Sequence, residues 1–217
     1  MDDELTRLAQ LDACAISDAL DKLGLTGVAS GIQRVATDKR IWGRVVTAKL
    51  EPDDGRPAAS RHLGTTAIET AQSGDVIVIE QRTGIDAAAW GGNLSLAAQL
   101  RGVAGTIVEG PARDVDEANG YGYPVFARSR TPRTARGRIV EVGTNVPIVV
   151  GDIAVAPGDY VVADGTGVVF VRASDIDAVL TAADAVVARE RAMVAALREG
   201  TPVTQVMGTT YETMLKR

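Results

Sequence analysis

Hydrophobic and polar positions change period several times along the chain, and each change marks an element. From Glu4 to Leu23 apolar residues recur at helical spacing (Leu5, Leu8, Leu11, Ala15, Ala19, Leu23) with Gly24 as a stop, which predicts one or two helices. Ser17 and Asp18 fall on this element as capping or solvent-facing residues. Gly27 to Arg40 is predicted as a connection, Trp42 to Leu50 alternates as a strand, and EPDDGRP has the composition of a turn or mobile loop. Ala58 to Ala71 predicts a helix interrupted at Gly64, with His62 near its start. Asp75 to Glu80 (DVIVIE) is a short β-branched run after Ser73-Gly74 and predicts a buried strand. Leu94 to about Arg101 predicts a helix with Asn93 as its N-cap and Gly102 as its stop. A second strand, Gly105 to Glu109, then ends in Gly110-Pro111-Ala112-Arg113-Asp114.

Strand, helix and strand at that length form a βαβ unit, so the two strands should run parallel. The loop carrying Gly91 to Leu94 and the loop carrying Arg113-Asp114 then both leave the carboxyl edge of the sheet, where α/β folds gather ligands. One loop brings backbone N–H groups at a helix N-terminus, suited to a carboxylate or phosphate. The other brings a guanidinium that can clamp a carboxylate through two hydrogen bonds, beside an Asp that can hold a hard divalent cation. Taken singly, these are a tight connection and a surface ion pair. Their convergence on one edge predicts a site for a small, anionic, oxygen-rich ligand bound through a metal.

Beyond Asp114, VDEANGYGYPVF predicts a short helix and a strand. GRIVEV, PIVV, DIAVA, DYVVAD and GVVFV follow too closely for crossover helices, so antiparallel pairing is expected. The ADGTG turn is a strand connection, and Asp164 nears the site only if that turn folds to the same edge. Ser174 to Glu199 is the longest helical pattern, with Ser174 as cap, Asp177 close to the capping-box position and Gly200 as its end. Its apolar residues spread over more than one face, which predicts packing on its own sheet and on another subunit. Glu190 lies in its charged ARERA patch, and the segment from Thr201 predicts a short helix or an arm to a neighbouring chain.

Composition narrows the chemistry. A chain of 217 residues with 46% hydrophobic and 24% charged residues suits one well-buried domain, residues 1–217. A net charge of −5 argues against nucleic acid or an anionic membrane as the main partner. The acidic start MDDELTRLAQ is no signal peptide and no apolar run spans a bilayer, so a soluble cytoplasmic protein is expected. Single copies of His62 and Cys14 leave no intrachain disulfide, no soft-ligand zinc cluster and little room for a Ser-His-Asp triad. Any metal must therefore sit on oxygen, which favours magnesium or manganese. His62 can still titrate near neutral pH. Only four lysines occur (Lys22, Lys39, Lys49, Lys216), and Lys49 in WGRVVTAKL is the one candidate for a Schiff-base aldolase. A nucleotide cofactor is disfavoured, because Gly91 to Ser95 lacks a third glycine and no Gly-Lys-Ser/Thr follows it.

The stretch GGNLSLAAQLRGVAGTIVEGPARDVDEA, followed by YPVFARSRTPRTARGRIVEVGTNVPIVVGDIAVAPGDYVVADGTGVVFV, resembles the 4-hydroxy-4-methyl-2-oxoglutarate aldolases and RraA-like regulators of ribonuclease E activity. The similarity runs from about Ile16 to near Glu199, and Gly91-Gly92-Asn93-Leu94, Gly102, Gly105 and Arg113-Asp114 in order make it specific. The resemblance implies an α/β fold of the α/β/α swivelling type, with a mixed β-sheet core flanked by helices. It also implies a homotrimer or a hexamer built as a dimer of trimers, with the N-terminal helices (4–23), the long helix (174–199) and the tail (201–217) near subunit interfaces.

By the same resemblance, Arg113 binds the pyruvoyl part of the substrate, Asp114 holds a divalent cation (Mg2+, with Mn2+ or Co2+ as alternatives), and Gly91, Gly92, Asn93 and Leu94 line the 2-oxo-acid pocket. The position of Asn93 is acidic in the aldolases and an amide here, which opens the identity of the base. Glu190 is the counterpart of an acid that reaches the site from an adjacent subunit. The implied activity is a class II lyase that cleaves a 4-hydroxy-2-oxo acid to pyruvate and a second oxo acid, with oxaloacetate decarboxylation through the same pyruvate enolate. Two other readings stand beside it: an RraA-like regulator that binds a partner protein without catalysis, and an enzyme of this fold acting on a different 2-oxo or hydroxy acid.

Overall fold

A computed structural model describes residues 3–55 and 61–208. The N-terminal pattern resolves into two helices, α1 (Asp3–Leu8) and α2 (Ala13–Leu23), and Gly24 ends the second in the left-handed conformation. The connection predicted over Gly27 to Arg40 contains two short strands, β1 (Val28–Ala29) and β2 (Gln33–Ala36), which pair at opposite ends of the sheet. No sequence period reveals them because strands this short owe their existence to their partners. β3 (Ile41–Pro52) is longer than its predicted core, and α3 (Thr65–Thr70) starts only after Gly64. Residues 58–60 of the helix expected over Ala58 to Ala71 lie outside the described residues, as do residues 56 and 57 of the predicted EPDDGRP loop. His62 precedes α3 and does not lie on it, since Gly64 at φ 78° breaks helical continuity.

Next come β4 (Val76–Glu80), α4 (Gly92–Leu100), β5 (Gly105–Ala112), α5 (Val115–Gly120) and β6 (Val125–Arg130). The pairs β3–β4, β4–β5 and β5–β6 are parallel, as the βαβ reading requires, with Glu80 level with Glu109. All five residues of β4 are buried, the signature of a parallel strand covered on both faces. The strand-rich second half gives β7 (Ile139–Thr144), β8 (Ile148–Val150), β9 (Ile153–Val155), β10 (Tyr160–Ala163) and β11 (Val168–Val171), all paired antiparallel. α6 (Ile176–Arg198) follows a 3-10 turn over Ala173–Asp175, so Ser174 is not its side-chain cap, and α7 (Val203–Val206) closes the described chain.

Among the described residues the main sheet has nine strands, in the order β1-β11-β10-β3-β4-β5-β6-β2 with β7 also on β3. The sheet is mixed and flanked by helices, as expected, and it curls on itself. Val45, Val76, Val78, Ile107 and Phe126 from one half meet Val161, Val168 and Phe170 from the other, with Ile148, Val150 and Val155 of the β8–β9 hairpin packed among them. Strand alternation sends Val46, Ile77, Ile79 and Val108 outward against Ile68, Trp90, Leu94 and Ala98. On the other half, Tyr160, Val162 and Val169 pack against α2 and α6. The helices α3 to α5 and the helices α1, α2 and α6 therefore form separate outer layers. No helix of the described residues is long and apolar enough to cross a membrane.

Candidate active site

The glycine turn and the Arg-Asp pair meet at the carboxyl edge of β4 and β5. Trp90 forms a parallel bridge with Ala112, and the Arg113 amide donates to the Trp90 carbonyl at 2.9 Å. This backbone stitch brings together residues more than twenty positions apart in the chain. Behind it, the buried Trp90 ring stacks on Tyr123 at 6.3 Å and donates through Nε1 to Ser95 Oγ, which in turn donates to the Gly91 carbonyl. Gln81, buried, donates to the carbonyls of Ile85 and Ala87 and so holds the loop leading into the turn.

The helix start differs from expectation. α4 begins at Gly92 with Gly91 as its N-cap, and Asn93 lies exposed in the first turn. The capping acceptor is distant in sequence: the Gly92 amide donates to Asp114 Oδ2 at 3.0 Å. Tertiary contact has replaced the local cap, and this N–H is committed to the protein's own carboxylate. Asp114 itself sits at φ 54°, in the left-handed region that non-glycine residues seldom adopt and that recurs at functional sites. Its Oδ2 also lies 3.2 Å from Arg113 Nε.

A side chain at either turn position would have to displace the carboxylates that lie over it. A β-carbon on Gly91 would fall 2.8 Å from Asp114 Oδ2, and one on Gly92 would fall 1.7 Å from Glu117 Oε2 and 3.3 Å from Asp114 Cβ. The Glu117 carboxylate thus occupies the space over Gly92, beside Asp114. Sequence reading missed Glu117, although its spacing of three from Asp114 at a helix start puts the two on one face.

An open cleft of about 130 Å3 runs over this ground, lined by His62, Leu63, Ala88 to Leu94, Arg113, Asp114 and Thr134 to Arg136. Its volume is that of about four waters at roughly 30 Å3 each, the scale of a short-chain acid. Gly91, Gly92, Asn93, Leu94, Arg113 and Asp114 are all brought together here. His62, read from the sequence as a lone helical histidine able to titrate near neutral pH, is on the wall. Its imidazole pKa is lowered by burial, then by the neighbouring Arg136 and Arg113, with Glu141 opposing. Thr134 and Arg136 had no sequence signal, because they lie in an irregular segment between strands.

Three residues lie elsewhere. Glu190 is on α6, in the layer opposite the cleft, and its pKa is raised by burial and by Asp18 and Asp12. Asp164 accepts from the Thr166 amide and from the Ala13 amide at the start of α2, whose N-cap is Asp12. Lys49 faces Glu80 at 3.9 Å and does not line the cleft.

The sequence profile of the family described as RraA-like, Aldolase/RraA, matches residues 13–170. The chain belongs to the RraA-like family. A Halalkalibacterium halodurans protein named "Putative 4-hydroxy-4-methyl-2-oxoglutarate aldolase" is 30% identical over 156 residues, covering 71% of this chain and 70% of that protein. DlpA of Legionella pneumophila is 28% identical over 153 residues, which cover 70% of this chain and 25% of DlpA; the RraA-like chain spans about a quarter of that relative. The crystal structure of an uncharacterized protein from Pseudomonas syringae pv. tomato superposes with a TM-score of 0.85 at 30% identity, covering 96% of this chain and 98% of the other.

For a metal, the donor chemistry fits a hard cation with few protein ligands. Asp114 and Glu117 supply adjacent carboxylates, while among the described residues no group of three His, Cys, Asp or Glu is disposed to hold an ion. Magnesium characteristically takes one or two carboxylates and keeps the rest of its shell as water.

Proposed function

We propose that this RraA-like protein is a divalent-metal-dependent lyase that cleaves a 4-hydroxy-2-oxo acid, such as 4-hydroxy-4-methyl-2-oxoglutarate, to pyruvate and a second oxo acid, and decarboxylates oxaloacetate at the same site. The observation that carries this reading is the meeting of Arg113, Asp114 and the Gly91-Gly92 turn at one cleft of small-acid size. The names of relatives at about 30% identity point the same way.

Asp114 with Glu117 would hold the cation, which when bound supplies a Lewis acid toward the keto oxygen. Arg113 binds the substrate carboxylate and adds positive charge where negative charge gathers on the keto oxygen as the C3–C4 bond breaks. Retro-aldol cleavage and decarboxylation develop that charge at the same atom, so one arrangement serves both. Leu94, Ala88 and Ala89 exclude water from one side of the cleft. Asn93 at the rim orients a water toward the C4 hydroxyl, and Glu190 of a neighbouring chain in a homotrimer or hexamer takes its proton. Within one chain Glu190 stands on the far layer, so it can serve only a neighbour's cleft.

The test is pyruvate release from oxaloacetate by purified protein with magnesium. We expect turnover that stops on chelation and falls at least about a hundredfold in Arg113→Ala and Asp114→Ala. No turnover with magnesium, manganese or cobalt across several 4-hydroxy-2-oxo acids would overturn the proposal and favour a partner-binding regulator. That second reading has its own support: both Asp114 contacts, to Gly92 and to Arg113, are satisfied within the chain.

A further inference from the structure

Cleavage of a 4-hydroxy-2-oxo acid needs two proton transfers, and Asn93 with a neighbour's Glu190 serves only the first, from the C4 hydroxyl. The second places a proton on C3, the carbon that keeps the electron pair when C3–C4 breaks or carbon dioxide departs. Few side chains at the cleft can exchange a proton near neutral pH. Of the lining residues only His62, Arg113, Asp114 and Arg136 are ionisable, and a guanidinium keeps its protons. Asp114 is committed to the Gly92 amide at 3.0 Å and to Arg113 Nε at 3.2 Å. His62 remains.

The backbone of His62 is fixed beside the glycine turn. Its carbonyl accepts from the Thr65 hydroxyl at 2.6 Å, and two residues on, a β-carbon at Gly64 would stand 3.2 Å from the Trp90 ring and 3.4 Å from the Leu94 side chain. The Gly64 amide donates to Glu141 at 2.6 Å. The segment carrying Arg136 is stitched to the cleft by the Thr131 amide on the Ala112 carbonyl and the Ala88 amide on the Arg133 carbonyl, each at 3.0 Å. Burial, then Arg136 and Arg113, lower the imidazole pKa against the opposing Glu141, while Arg61 is paired with Glu69 at 2.9 Å. The ring is therefore a neutral base at pH 7 and, once protonated, a stronger acid than an ordinary histidine. Among the described residues neither ring nitrogen is taken by a hydrogen bond.

We propose that His62 delivers the proton to C3 of the pyruvate enolate and, in the reverse direction, takes it from the pyruvate methyl group. This rests on the lyase reading. In the forward step the C2–C3 electron pair of the enolate takes the imidazolium proton: a C–H bond forms, the N–H bond breaks, the C2 carbonyl re-forms and neutral imidazole is left. His62 is exposed and recovers its proton from water, which also supplies the proton that oxaloacetate decarboxylation consumes.

The reverse step can be measured without any carbon–carbon cleavage. Pyruvate in D2O with the full chain and magnesium should lose its methyl proton signal by NMR as deuterium enters. His62→Gln should slow that exchange at least about a hundredfold, while calorimetry keeps pyruvate affinity within about twofold of wild type. The wild-type exchange rate should rise with pH to a plateau, with its midpoint at the His62 imidazole titration followed in the same buffer. Imidazole added to His62→Ala should restore part of the exchange, which a purely structural role would not allow. Exchange in His62→Gln within about threefold of wild type overturns the inference, as does a His62→Ala protein that imidazole does not rescue. The two failures are distinct: pyruvate release from oxaloacetate with exchange that survives in His62→Gln removes His62 alone, whereas neither release nor exchange in wild type removes the lyase reading with it.

Discussion

Asp114 caps α4 through the Gly92 amide, faces Arg113 and adopts a left-handed backbone, so substitutions there separate stability from chemistry. Asn keeps an acceptor and tolerates that backbone, whereas Ala does neither. Urea unfolding should place Asp114→Asn within about 0.5 kcal/mol of wild type and Asp114→Ala about 1 kcal/mol below it, while both lose pyruvate release. His62 gives a second residue-level measurement, because as the sole histidine it yields one resolved imidazole titration by NMR. Burial and the two arginines lower its pKa, so the midpoint should fall below 6.5. The sign for stability follows: the unfolded chain takes up the proton first, so His62 adds stability above the unfolded pKa and loses it as pH falls through the folded one. In His62→Gln that part of the acid-side decline should disappear.

At the scale of elements, the β8–β9 hairpin is held under the curled sheet by two buried glutamates that stand level on β4 and β5. Glu80 accepts from the Val149 amide at 2.7 Å, and Glu109 accepts from the Gly151 amide at 3.0 Å and from Arg128 Nε at 2.6 Å. Arg128 also donates to the Ser30 carbonyl, so one guanidinium ties the hairpin, β6 and the β1–β2 connection. Glu109→Gln leaves Arg128 without its charged partner and should cost about 2 kcal/mol in urea unfolding, with the cleft residues unaffected. A change under about 0.5 kcal/mol would show that the hairpin is held by its apolar side chains alone. On the opposite layer, α6 ends with Val194 and Leu197 exposed, followed by Val203 and Met207. Apolar residues along an outer helical surface are what a subunit contact would cover.

For the whole molecule, assembly is the property that decides whether Glu190 meets a cleft. If it does, light scattering should give a mass of three or six times the 22.6 kDa chain, and dilution to monomer should abolish turnover. A monomer with full activity would remove Glu190 from the chemistry. How much was legible beforehand follows from the range of each interaction. Residue patterns determined the parallel β4–α4–β5 unit, the antiparallel second half, the long terminal helix and the oxygen-only donor inventory, because periodicity, turn residues and composition act over a few neighbouring positions. The sequence placed Arg113-Asp114 at the right strand end for the same reason. It misassigned Asn93 as a cap, put His62 on a helix and passed over Glu117 and Arg136. Glu117, one turn from Asp114, and the Gly64 break after His62 were local signals, whereas the outcomes at Asn93 and Arg136 depend on contacts between segments far apart in the chain: Asp114 taking over the Gly92 amide, and the 131–137 segment stapled to Ala88 and Ala112. Only the curled sheet, by bringing its inner faces and carboxyl-edge loops together, decided which charges share one cleft.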